Sequence, residues 1–302
     1  MKGQEPTLKT SRESSRSKTR LWQRAVKLSK YMRTVPIQAL MVFLAFLFVG
    51  PIAWMLLNSL KSNYEFFQSI WSFPVPLTLA AYSRAWLKTG MALAFVNTLW
   101  MTSVSVLLVL ILGVAASYAL ARLKFPGRPQ LLYAFSFGMF VPRFLAIIPL
   151  YMLLNRWGLL GFPGVIIAFV VFELPFTVFI LAAYMKTLPQ ELHEAAILDG
   201  CSEFEAFRHV MLPLAQGGII TVGVIEAIAI WNDYLFPLIL LPDPSKSTLA
   251  LAIAKLMYKN MQNMDMTGLF AAFVIAAIPS LVVYAIFQSR LAEGLTMGAL
   301  KG

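Results

Sequence analysis

The chain has 302 residues, 59% of them hydrophobic and only 13% charged, with a mean hydropathy of +0.73. A soluble domain carries about 25% charged residues, so the composition excludes an ordinary soluble enzyme or binding module and predicts an integral membrane protein. The net charge of +11 does not point to nucleic acid, because ten of the 25 Lys and Arg residues are gathered between Lys2 and Arg33.

Residues 1–36 read as a basic cytoplasmic tail. The tail starts polar and Ser-rich, a composition that favours disorder. Between Leu21 and Tyr31, the apolar Leu21, Trp22, Ala25, Val26 and Leu28 are spaced among Arg24, Lys27 and Lys30. That pattern suits an interfacial helix on an anionic leaflet, with a nucleic-acid arm as the weaker alternative. The apolar run that follows is too long for a cleaved signal peptide.

Residues 37–302 read as an all-α, polytopic membrane domain. Crossing a bilayer takes about 20 apolar residues, and six stretches qualify: Ile37–Leu60, Val96–Leu120, Leu131–Leu154, Leu160–Tyr184, Gly217–Leu241 and Thr267–Gln288. With the N-terminus inside, 17 basic residues fall on the cytoplasmic side and 7 outside. The asymmetry favours both termini in the cytoplasm. The outer connections, Lys61–Phe95 and Pro242–Met266, are long for a compact bundle. In the first, Phe66, Phe67, Trp71 and Phe73 suit the membrane interface.

Ionisable residues inside a span are costly and turn toward a partner or a cavity. Arg143 lies near the middle of the third span and Glu173 near the middle of the fourth, and a short outer loop joins the two. An internal ion pair between them is the favoured reading over a substrate role. In the fifth span Glu226 and Asp233 are seven residues apart, about 10 Å along one helical face. Pro237 cannot donate to the carbonyl of Asp233, which predicts a bend there. Beside the bend, Trp231, Asn232 and Asp233 offer an indole face, an amide and a carboxylate to a hydroxyl-rich substrate. Packing against neighbouring helices explains them equally well.

Between the fourth and fifth spans lies the polar stretch Thr187–Leu214, placed in the cytoplasm by the charge count. Thr187 and Gln190 read as a capping box with Pro189 in the first turn. Gly200 stops that helix. Ser202 and Glu205 form a second capping box, and Pro213 closes the second helix. Phe204, Phe207 and Met211 make an aromatic stripe. Glu191, Glu194, Asp199, Glu203 and Glu205 outnumber Lys186 and Arg208, so this helix-turn-helix fits a groove on another protein better than an anionic lipid surface.

Glu194-Ala195-Ala196, Asp199-Gly200, Phe207 and Leu212-Pro213-Leu214 resemble the EAA loop of importer-type ABC permeases. Cys201 stands where that family usually has Ala, and Val210 where it usually has Ile. Asn97-Thr98, Ser117 to Arg122 with Phe125-Pro126-Gly127-Arg128, Trp231-Asn232-Asp233 and the tail Gly294 to Gly302 extend the resemblance to maltose-type carbohydrate permeases, specifically the shorter of their two permease subunits. The resemblance covers all but the first 35 or so residues. It implies a carbohydrate-importing transmembrane subunit in a prokaryotic cell membrane. It further implies a second related permease, two ATPase subunits that bind ATP and Mg, and an extracytoplasmic sugar-binding protein facing the outer loops. It assigns ATPase coupling to Glu194, Ala195, Ala196, Asp199, Gly200, Phe204 and Phe207.

No Walker-type phosphate loop is present, and Cys201, His193 and His209 do not make a metal set. No catalytic residue, cofactor or metal is therefore expected in this chain. The alternative function is an ion- or proton-coupled secondary transporter using Glu173, Glu226 and Asp233, although no inverted repeat stands out.

Overall fold

The computed structural model describes residues 35–299, and the basic tail and its proposed interfacial helix lie outside them. A first unit, ending at Leu57, supplies all but the last two residues of helix α1 (Val35–Ser59), 25 residues with a mean hydropathy of 2.5 in its most apolar window. All that follows belongs to the second unit, which starts at Asn58.

The long helices of that unit are α4 (Met91–Arg122), α7 (Phe162–Thr187) and α13 (Met266–Ala299). Each is long and apolar enough to cross a membrane. Helices α4 and α7 pack closely because small residues line their contact. A Cβ added at Gly113 would lie 2.3 Å from Thr177 Cγ2, and Ser117 Oγ donates to the Val178 carbonyl at 3.2 Å. Without a hydrophobic force between helices in lipid, such close backbone approach supplies the packing energy.

The third expected span is not one helix. It divides into α5 (Arg128–Gly138) and α6 (Arg143–Arg156), bent by 103° at the break. Pro142 provides the cause: it lacks an N–H and holds Val141 out of the helical region. Gly138 lets the turn approach α7, since a Cβ there would sit 2.9 Å from Pro175. The fifth span does break where expected. Helix α10 (Gln216–Asn232) stops before Asp233, whose backbone is extended, and α11 (Leu235–Leu240) resumes beyond it. Pro237 falls in the first turn of α11, where a missing N–H costs little.

The long outer connections are folded. The first holds α2 (Asn63–Gln68) and α3 (Ala80–Lys88), and the second holds α12 (Leu249–Asn263). Phe66 is buried against Phe270, while Trp71 and Phe73 are exposed. Arg84 of α3 donates to Asp265 and Thr267 at 3.0 Å each, and Asn63 donates to Asp265 at 3.0 Å. Together these bonds tie α2 and α3 to the start of α13. Between α7 and α10 stand α8 (Gln190–Leu198) and a second helical segment, α9 (Glu203–Leu214).

Candidate functional site

The hairpin α8–α9 is built mostly as the sequence suggests, with two corrections. Thr187 and Gln190 do not form a capping box. Helix α7 runs through Thr187, whose hydroxyl turns back to the Tyr184 carbonyl at 2.8 Å. Gln190 instead donates to Glu194 at 2.7 Å, and Pro189 occupies the N-cap rather than the first turn. Nor does Pro213 close the second helix. A π turn over Phe207–Met211 comes just before it, with the Leu212 N–H reaching back to the Phe207 carbonyl, so a further helical turn accommodates the proline. The change of direction comes next, where α9 and α10 meet at 72°.

The turn between the helices is tightly specified. Gly200 has φ +90. Its N–H donates to the Ile197 carbonyl at 3.1 Å, and the Cys201 N–H to the Ala196 carbonyl at 3.0 Å. That pair of bonds closes a helix around a left-handed glycine. Ser202 and Glu205 then cap α9 reciprocally, at 2.8 and 3.3 Å. The exposed apolar surface around the turn comes from Leu198, 87% exposed, and Phe204, 67% exposed. Glu194, Ala195 and Asp199 are also exposed, whereas Ala196 is buried. Phe207 turns inward, its ring 4.8 Å from that of Tyr118.

Beside the hairpin runs an open groove of about 540 Å³ floored by Arg122, Lys124, His193, Glu194 and Glu203. Tyr118 is nearly buried. Its hydroxyl lies 3.0 Å from His193 Nε2 and 2.9 Å from Glu203 Oε2. One turn on, Arg122 donates to the carbonyls of Met185 and Leu188 at 2.6 and 2.8 Å. Sequence reasoning left Tyr118 and Arg122 without individual roles. Their partners lie 63 to 85 residues away, so no local pattern could reveal them.

Within the bundle, Arg143 opens α6 and donates to Glu173 at 2.7 Å, the pairing expected from sequence. Its other terminal nitrogen stands 3.5 Å from Asp233, and its guanidinium faces the Phe236 ring at 5.9 Å. Asp233 is not on a helical face shared with Glu226, because α10 has ended. It accepts the Phe236 N–H at 3.0 Å and so caps α11. Glu226 accepts from Thr177 at 2.9 Å. Its second oxygen is buried without a donor among the described residues. Arg143, Glu173 and Glu226 line a cleft of about 290 Å³.

Trp231 and Asn232 face elsewhere. With Leu249, Ile253, Phe273 and Ala276 they line a separate cleft of about 310 Å³. The indole N–H is spent on the Ala276 carbonyl at 3.2 Å, and the Asn232 amide on the Ile228 carbonyl at 2.7 Å. The three residues singled out for a substrate path therefore do not share one cleft: Trp231 and Asn232 line this one, and Asp233 turns to Arg143 instead.

The sequence model of the binding-protein-dependent transport system inner membrane component matches residues 110–296, which take in the hairpin and both clefts. The chain belongs to this family. It is a transmembrane subunit of an ABC importer, which sets aside the secondary-transporter alternative. Among the relatives of this permease is the diacetylchitobiose uptake system permease protein of Streptomyces coelicolor, 35% identical over 264 residues and 87% of each chain. The melibiose/raffinose/stachyose import permease protein of Bacillus subtilis is 30% identical over 276 residues, covering 91% of this permease and 98% of its relative. The fold matches a chain in the crystal structure of a bacterial ABC transporter that imports the acidic polysaccharide alginate. There the TM-score is 0.76 at 24% identity, over 86% of this permease and 97% of that chain.

Proposed function

We propose that this permease moves a carbohydrate, delivered by an extracytoplasmic sugar-binding protein, with a second related permease and two ATPase subunits completing the importer. Relatives that span most of the chain are named for diacetylchitobiose and for raffinose-type sugars, which supports a neutral oligosaccharide as cargo. ATP and Mg would be bound by the ATPases. Both termini would lie in the cytoplasm, with residues 1–36 a tail and 37–302 the transmembrane domain.

The observation that carries the mechanism is the hairpin: two short helices closed by a left-handed glycine, rooted in α7 and α10, with Leu198 and Phe204 exposed at the turn. Apolar surface of that kind, surrounded by Glu194 and Asp199, suits a protein groove. Glu194, Ala195, Asp199, Gly200 and Phe204 would meet the ATPase, and the buried Ala196 and Phe207 would hold the helices that present them. Movement of the ATPase would then shift α7 and α10 together. Trp231 and Asn232 would contact sugar from their cleft, while Asp233 would serve the Arg143–Glu173 ion pair.

One preparation tests this reading. The permease is purified with its neighbours, reconstituted, and offered labelled raffinose and diacetylchitobiose. Copurification of an ATPase and ATP-dependent uptake of either sugar are the expected results. Uptake driven by an ion gradient with no ATPase present would refute the reading. Reporter fusions after Ser202 and Lys259 should report opposite sides of the membrane, and the same side for both would overturn the topology.

A further inference from the structure

We infer that the Tyr118 hydroxyl is a positioning group that latches the hairpin to α4, so that hairpin movement is delivered to a third span as well as to the two it joins. The inference rests on the reading of the hairpin as the ATPase contact, and adds to it a connection that the chain path does not make.

Three observations converge on this tyrosine. Its hydroxyl reaches both arms of the hairpin, His193 on α8 at 3.0 Å and Glu203 at the first turn of α9 at 2.9 Å. His193 Nε2 and Glu203 Oε2 are themselves 3.1 Å apart, so the three groups close a triangle across the Gly200 turn. Its ring packs on Phe207 in the π turn, which adds a contact farther along α9. One helical turn later Arg122 clamps the carbonyls of Met185 and Leu188. The end of α4 thus holds the last turn of α7, the linker and both hairpin helices.

Proton accounting shows how the triangle is satisfied. The Glu203 carboxylate only accepts, and the tyrosine hydroxyl has one proton to give. All three groups are paired when the tyrosine donates to Glu203 and His193 carries its proton on Nε2. With that nitrogen bare, tyrosine would have to choose between two acceptors. The tyrosine thus gives a hydrogen bond to a charged group, a class of bond about twice as strong as a neutral one.

Deleting the hydroxyl separates a latch from a structural support. Tyr118→Phe keeps the ring on Phe207 and leaves His193 and Glu203 bonded to each other, so the hairpin stays folded and capped. In the reconstituted importer, ATPase copurification should be unchanged. Sugar taken up per ATP hydrolysed, read with labelled raffinose or diacetylchitobiose according to what the parent importer accepts, should fall roughly tenfold, the scale of one charge-assisted bond. An unchanged ratio with the ATPase retained would overturn the latch alone. Absence of the ATPase from the unmodified importer would overturn the hairpin reading, and the latch with it. Should the phenylalanine variant fail to assemble, Glu203→Gln decides from the exposed side of the same contact. A lowered ratio supports the latch and an unaltered one refutes it.

Discussion

Replacing Arg143 with Met tests the polar centre of the bundle most directly. The guanidinium is the positive group paired with Glu173 at 2.7 Å and nearest to Asp233 at 3.5 Å. Both carboxylate side chains are nearly buried, 6% and 10% exposed, whereas that of Arg143 is 36% exposed. Breaking a buried ion pair from one side costs about 3–5 kcal/mol, because the charge left behind has no partner. The partial exposure of Arg143 argues for the lower end, about 3 kcal/mol. For a domain of this size that corresponds to a fall in melting temperature of roughly 6–12 °C. Tryptophan fluorescence during heating in nanodiscs reads it. The double variant Arg143→Met/Glu173→Gln should recover more than half of the loss, since it removes the stranded charge as well. If the single variant melts with the parent, or the two changes simply add, the ion pair does not hold these helices together.

Three further outcomes follow from geometry already described. At Gly200 the φ of +90 and the open space around an added Cβ make strain, not crowding, the penalty. Gly200→Asn should therefore keep ATPase binding and uptake, while Gly200→Val inserts normally but loses both, as pulldown and uptake on one preparation would show. Gly113→Val must displace Thr177, whose Cγ2 would lie 2.3 Å from the new Cβ. Overpacking of about 1–3 kcal/mol should appear as reduced thermal stability, and Gly113→Ala should cost less. At Asp265 burial works to raise the carboxyl pKa, but hydrogen bonds from Arg84, Gly268 N–H and Asn63, with the arginine's charge, outweigh it and hold it below the usual range. A carboxyl depressed in the folded state adds stability above its unfolded pKa of about 3.9, and that stability is lost as pH falls through the folded value. Melting scans between pH 6 and 3 should show Asp265→Asn with a shallower acid decline than the parent, and parallel curves would refute the assignment.

The legible parts of this molecule were those governed by local chemistry or by depth. Hydropathy located α4, α7 and α13, although α4 begins at Met91 rather than Val96. The Arg143–Glu173 pair followed from two opposite charges near the middle of adjoining spans. Gly200 and the Ser202–Glu205 box followed from residue types at fixed offsets. What failed were patterns with two local solutions. Thr187 can cap a new helix or bond back within the old one, and its sequence does not distinguish them. Pro213 can end a helix or follow a widened turn. Pro142 carried the signal for the break between α5 and α6, but apolar residues on either side suggested a continuous span. The division of Trp231 and Asn232 from Asp233 depends on which helices lie beside them, as does the role of Tyr118.

The π turn at Phe207–Met211 gives this hairpin an adjustable phase. Such a turn holds one residue more than the α-helical turn it replaces, and each residue rotates an α-helix by about 100° and advances it about 1.5 Å. The azimuth at which Leu198 and Phe204 meet a partner, relative to the axis of α10, is therefore indexed at these five residues. Removing one of them would swing the contact patch around the helix axis while leaving the Gly200 turn and the transmembrane helix each intact. In the proposed coupling role, a one-residue change of length here would re-aim the hairpin, and its contacts with Tyr118 would have to be remade to suit.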